Sequence, residues 1–171
     1  FHPSREPENY LREYKNRGPH NLPAGYWTDD TSMALAIAEG ILERNGEFDP
    51  HLIMENFVSW MTDGEFSSTG TCFDIGTTCQ MALGTYRKDK SNPYCGPTDP
   101  YSAGDGALMR TAPVIIAARD EREALENALL QTRLTHGCAE CLQYSEAFAR
   151  ELWIGQALKE YRHLKLPTDT H

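Results

Sequence analysis

The sequence predicts an all-α protein, a compact bundle of about six helices formed by one domain over residues 1–171. Three observations carry that expectation. Apolar residues recur at spacings of three and four in each long segment, the period of a helix with one buried face. No stretch of useful length alternates apolar and polar residues as a half-buried strand would. The breaks between periodic segments carry helix start and stop signals, and no internal repeat is present.

Residues 1–24 hold several prolines, glycines and charges and read as an irregular lead-in, with a short helical stretch near 8–14. The first long helix falls at about 30–44: Met33, Ala34, Ile37, Ala38, Ile41 and Leu42 keep helical spacing, and Asn45-Gly46 stops it. Asp49 then caps a second helix, Pro50 takes its first position, and Phe48 and Ile53 stand where a hydrophobic staple packs. Leu52, Ile53, Phe57, Trp60 and Met61 form its apolar face, to about residue 62. A third helix is expected from near Asp74, with Ile75, Cys79, Ala82, Leu83 and Tyr86 on one side.

Residues 87–106 include three prolines and three glycines and form a long loop without periodicity, a kind of segment that is often functional. Pro113 opens a short buried helix at 114–118. Asp120, with Glu123 three residues on, reads as a capping box for a helix that runs to about 134. The last helix, at about 138–161, is expected to turn Cys141, Leu142, Ser145, Phe148, Leu152 and Trp153 inward.

Hydrophobic residues make up 40% of the chain and charged residues 24%, the composition of an ordinary globular domain with a real core. A net charge of −9 argues against non-specific nucleic-acid binding, which needs a basic face. No apolar stretch approaches a membrane span and no signal peptide is visible, so no membrane partner and a cytoplasmic location are expected. Five cysteines, an odd number scattered among helical segments, suggest reduced thiols.

The most informative run is Thr28-Asp29-Asp30. It offers one hydroxyl and two carboxylates within a turn, and hard divalent cations such as magnesium take oxygen ligands. The positive end of the helix favours ionised carboxylates there. The competing reading is a helix cap, and for the run alone the cap is the better reading. Asp74 is likewise a site residue or a cap. Gly104-Asp105-Gly106 is a turn whose backbone amides can converge on phosphate oxygens. Arg110 is a phosphate partner or a buried structural charge. Cys138 and Cys141 lie three apart beside His136, and Cys72, Cys79 or Cys95 could add a zinc ligand. Without a second paired knuckle, buried structural thiols are the better reading.

Four segments occur in a telling order: Gly25-Tyr26-Trp27-Thr28-Asp29-Asp30-Thr31-Ser32-Met33-Ala34-Leu35, Phe73-Asp74-Ile75-Gly76-Thr77-Thr78, Gly104-Asp105-Gly106-Ala107-Leu108-Met109-Arg110-Thr111-Ala112-Pro113 and Leu134-Thr135-His136-Gly137. In that order they resemble the ADP-ribosylglycohydrolase family, which includes the dinitrogenase-reductase-activating glycohydrolases. The similarity runs from about residue 25 to about residue 149.

The resemblance implies a larger all-α fold and hydrolysis at the anomeric carbon of ADP-ribose attached to a protein or small acceptor. It implies two magnesium ions, or manganese in their place, with Thr28, Asp29 and Asp30 as one half of the metal ligands. Asp29, Asp30 and Asp74 would be catalytic, Asp74 by bonding ribose or acting as acid or base. Gly104, Asp105, Gly106, Met109 and Arg110 would contact substrate, and His136 would meet adenine or ribose at the border of the cleft. Family members often carry Asn where Asp105 stands, which disfavours phosphate contact by that side chain.

The sequence departs from the family in two places. A Gly-Asp-Ala-Leu-Gly-like helix does not precede Phe1, and the downstream Asp-x-Asp-Thr-like metal segment is missing; Thr168-Asp169-Thr170 is a faint echo of it. Family members are also longer. A fragment or short relative with half a metal site is therefore expected, prone to self-association through uncovered apolar faces. The alternative is a non-catalytic ADP-ribosyl-binding or helical interaction module that has lost hydrolysis.

Overall fold

In a computed structural model that describes residues 20–164, the chain forms six α-helices and, among the described residues, no strand. The helical stretch expected near 8–14 and the Thr168-Asp169-Thr170 echo lie outside the described residues.

Helix α1 (Asp29–Glu43) buries Met33, Ala36, Ile37, Gly40 and Ile41. It ends where Asn45 and Gly46 turn left-handed (φ 55° and 99°) and the Gly46 amide returns to the Ile41 carbonyl at 2.9 Å. Helix α2 (Pro50–Asp63) starts as its sequence directs. The Asp49 carboxylate accepts from the amides of His51 and Leu52 at 3.0 and 3.1 Å and pairs with Arg44 at 2.8 Å. The two helices cross at Gly40. A side chain there would lie 2.9 Å from Ile53 Cγ1 and would push that side chain aside; the close approach lets Asn56 reach the Ala36 carbonyl at 3.0 Å.

Helix α3 spans Thr77–Lys88 and begins later than expected. Gly76 is its N-cap, while Asp74 is left-handed at φ 59° and lies outside the helix. A cap needs extended backbone, so Asp74 is no cap and is held by its loop instead. After the short α4 (Ala112–Ala117), Asp120 caps α5 (Glu121–Thr135) by accepting from the Glu123 amide at 2.8 Å. The return half of the box shifts by one residue, because Glu123 takes the Arg119 amide at 2.7 Å.

Helix α6 (Ala139–Leu164) packs mainly along α5 and touches α4 with one edge. Its buried stripe is Cys141, Ser145 and Ala149. Phe148, expected inward, is 39% exposed beside Tyr144 at 60%. A helix with its neighbours on one side buries a stripe one residue wide, and Phe148 falls just off it.

Trp60, Phe57, Met33, Ile37, Leu83 and Leu134 fill the centre where α1, α2, α3 and α5 converge. The loop after α3 is pinned rather than free. The Gly96 amide bonds the Arg133 carbonyl and the Gly137 amide bonds that of Pro97, both at 3.0 Å. A side chain on Gly96 would strike the backbone of residues 135–137. This contact lays residues 103–110 over the junction of α5 and α6.

Candidate active site

Thr28 is the N-cap of α1 by backbone position, yet its hydroxyl makes no cap bond and donates to Asp30 Oδ2 at 2.8 Å. Asp29 and Asp30 occupy the first two helical positions, so neither caps the helix. The loop between α2 and α3 folds back onto this corner. Trp27 Nε1 donates to the Phe66 carbonyl at 3.0 Å and the Ser68 hydroxyl to the Trp27 carbonyl at 2.6 Å. That places Asp74 near Asp29, with His20 Nε2 paired to Asp74 Oδ2 at 2.9 Å.

The charge shows in Asp29. Burial, then the carboxylates of Asp30 and Asp74, push its pKa up to about 6. Burial and Asp29 also push the Cys72 thiol above its ordinary value. Three carboxylates with an oxygen-only first turn match the chemistry of a hard cation such as magnesium, which keeps several waters and needs few protein ligands. The number of ligands is small: among the described residues no group of three or more His, Cys, Asp or Glu is arranged to hold a metal.

A second constellation meets the first. One cavity of about 350 Å³ is lined by Asp30, Asp105, Leu108, Met109 and Phe148. Another of about 280 Å³ lies between the 103–108 segment and α6, where Gly104 and Asp105 face Cys141 and Tyr144. Asp105 and Leu108 line both, so the acidic start of α1 and the Gly104-Asp105-Gly106 turn share one groove.

Behind the turn lies a polar network. Arg110 is fully buried, and no carboxylate pairs with it among the described residues. Its Nε donates to Gln131 Oε1 at 2.9 Å, and one terminal nitrogen donates to the Gln131 carbonyl at 3.0 Å and to Thr135 Oγ1 at 2.6 Å. The other lies 3.5 Å from Met33 Sδ, and the guanidinium sits 4.8 Å from the centre of the Phe57 ring. Gln131 in turn donates to the Ala107 carbonyl at 3.0 Å. His136, 3% exposed, has Nδ1 2.8 Å from Thr135 Oγ1. Burial, then the Arg110 charge, lower its pKa to about 4, against a small opposing pull from Asp105.

A profile of the ADP-ribosylglycohydrolase family matches residues 2–163. The chain belongs to that family. It is 40% identical over 131 residues to an ADP-ribosylarginine hydrolase of Serratia proteamaculans (strain 568), covering 76% of this chain and 35% of that protein. A second ADP-ribosylarginine hydrolase, from Pseudomonas putida (strain GB-1), is 36% identical over 85% of this chain and 39% of its own length. The ADP-ribosyl-[dinitrogen reductase] glycohydrolase of Rhodospirillum rubrum is 32% identical, covering 73% and 40%. A solved structure titled "ADP-ribosylglycohydrolase-related protein complex" superposes with a TM-score of 0.66 at 36% identity, over 91% of this chain and 52% of that one. The chain thus spans between a third and two fifths of these curated relatives, and about half of the solved chain.

As members of this family's fold, the sequence-predicted residues sort into two groups. Thr28, Asp29, Asp30 and Asp74 cluster at one corner, with Asp105 and Met109 across the groove from Asp30. Arg110 stands apart: fully buried behind the turn, it has no surface through which to touch a diphosphate, so it is the buried structural charge. His136 backs the turn, its ring within van der Waals reach of Gly104 and Gly106.

Sequence reasoning missed His20, Tyr144 and Leu108. The first had no periodicity to place it, and the other two line the groove only because α6 leaves one flank open. The structure buries Cys79, Cys138 and Cys141 and leaves Cys72 and Cys95 half-buried. All five are free, and Cys138, Cys141 and the Gly104 carbonyl form a chain with steps of 3.2 and 3.3 Å that steadies the turn.

Proposed function

We propose that this chain serves hydrolytic removal of ADP-ribose from a modified protein side chain, with arginine as the first acceptor to test. The observation that carries the reading is the groove that Asp30 of the α1 start shares with Asp105 of the Gly104-Asp105-Gly106 turn. The names of the relatives support the chemistry, since those proteins act on ADP-ribosylarginine and on ADP-ribosylated dinitrogen reductase.

Thr28, Asp29 and Asp30 would hold a divalent cation, magnesium or manganese, which when bound supplies charge stabilisation and orientation of ribose hydroxyls and water. Asp74, the remaining carboxylate of that corner, would take or give a proton, with its pairing to His20 supporting one orientation. The Gly104-Asp105-Gly106 turn and Met109 would seat the ADP-ribosyl group against the groove wall. Hydrolysis then depends on how firmly the chain fixes the reacting geometry.

A second reading, ADP-ribosyl binding without hydrolysis, is favoured by the small number of metal-competent ligands among the described residues. The two separate in one assay. Magnesium-dependent release of ADP-ribose from an ADP-ribosylated arginine peptide, lost in Asp74→Asn, supports hydrolysis. Binding of ADP-ribose without release supports the module, and neither binding nor release removes both.

A further inference from the structure

The start of α6 brings two thiols together. Cys138 directly precedes Ala139, the first residue of the helix, and its carbonyl accepts from the Leu142 amide at 3.2 Å. Cys141 lies three residues on in the first turn, the spacing that puts two side chains on one face. Their sulfurs are 3.2 Å apart. A disulfide needs about 2.05 Å, so roughly 1 Å of side-chain movement closes this pair. Among the described residues no other two cysteine sulfurs touch. Cys95 donates to the Asn92 carbonyl at 3.2 Å, and Cys79 lies 3.9 Å from an Arg110 nitrogen.

The pair is both reachable and connected. Cys141 lines the cavity of about 280 Å³ together with Gly104 and Asp105, while Cys138 is 2% exposed. The Cys141 thiol donates to the Gly104 carbonyl at 3.3 Å, and among the described residues no backbone amide donates to that carbonyl. A disulfide carries no S–H. Closing the pair therefore removes the one proton that Cys141 can give to the turn.

We propose that Cys138 and Cys141 form a reversible oxidation site that a peroxide closes to a disulfide, and that closing it releases the Gly104-Asp105-Gly106 turn from α6. The Cys141 thiolate attacks one peroxide oxygen; the O–O bond breaks, a sulfenic acid forms, and the departing hydroxide takes up the thiol proton as water. The Cys138 sulfur then attacks that of Cys141. The S–S bond forms, the S–O bond breaks, and the Cys138 proton leaves in a second water. The two sulfurs lose two electrons and the peroxide gains them; a thiol reductant reverses the change. Burial holds the Cys141 thiol above its ordinary value, so closing is slow at neutral pH and quickens as pH rises. The resting state is the dithiol of the structure, and the chemistry is independent of what the groove binds.

The test uses the whole chain treated with hydrogen peroxide at about pH 8.5, where more thiolate is present. After alkylation and tryptic digestion without reductant, the peptide 134–150, which holds both thiols, should be unalkylated and lighter by two hydrogens than its dithiol form. Dithiothreitol should restore it. Amide exchange of residues 103–107 should quicken about threefold on closing, less than a full hydrogen bond is worth because S–H is a weak donor. Cys141→Ala should show the faster exchange from the start and no response to peroxide. Cys138→Ala keeps the bond to Gly104 and should exchange as slowly as the untreated parent. A peptide 134–150 that keeps two alkylatable thiols while Cys72 or Cys95 is oxidised would overturn the site. A disulfide that forms in the parent with no change in exchange at the turn would overturn the release.

Discussion

At the start of α1, the carboxylates of Asp29, Asp30 and Asp74 crowd one corner, with His20 as the partner of Asp74. Against the last turn and a half of α5, a single guanidinium is buried among neutral acceptors with its bonds made inside the protein. The first region raises the energy of its own charges, as the lifted Asp29 pKa shows. The second lowers that of a charge that burial alone would make untenable. An unbalanced cluster on a partly open surface is poised for something from outside. A satisfied network in the core holds other groups still.

The largest effect belongs to the buried network. Arg110→Met would leave Gln131 and Thr135 without their donor, and should cost about 3 kcal/mol or more in urea unfolding. Asp30→Asn should cost far less, because Asp30 is exposed and caps nothing. Equal losses from the two would erase the contrast.

The pH dependence runs in opposite senses in the two regions. His136 has a folded pKa of about 4 against an ordinary 6.5, so its contribution is fully present above 6.5 and lost as pH falls toward 4. The loss is on the order of 3 kcal/mol, and His136→Gln should flatten it. Asp29 has a folded pKa of about 6 against an ordinary 3.8, so its contribution is present below 3.8 and lost as pH rises through 6. Asp29→Asn should therefore remove a rise in stability on acidification that the parent shows without added cation. Both slopes are measurable by urea titration across that range, and slopes of the same sign would contradict the assignment.

A smaller check concerns the thiols. Titration of denatured protein without reductant should find all five cysteines free, with no stoichiometric zinc. Zinc that survives purification would convert the Cys138–Cys141 support of the turn into a metal site.

Much of the fold was legible because the signals were local. Asp49-Pro50 states a cap and a first helical position next to each other, and Asp120 with Glu123 nearly does the same. The start of α3 was not legible, because Asp74 looks like a cap and only its left-handed backbone, set by the loop packed on Trp27, shows otherwise. The burial of Arg110 was equally hidden. Its acceptors sit 21 and 25 residues away on α5, a distance at which no periodicity speaks. Phe148 was misplaced for the converse reason: helical spacing gives a face, while the width of that face depends on how many neighbours cover it. The metal-type residues at the α1 start were plain in the sequence, and their meeting with Asp74 and Asp105 needed the tertiary structure.

On the proposed function, the α1 start would be a cation site and the Arg110 network against α5 would not. Thermal melting with and without magnesium tests it most directly, in the parent, in Asp29→Asn/Asp30→Asn and in Thr135→Ser. Magnesium should raise the melting temperature of the parent and of Thr135→Ser and leave the double variant unmoved, by the linkage of binding to stability. A double variant that responds to magnesium as the parent does would contradict the account and reduce the two carboxylates to first-turn charges.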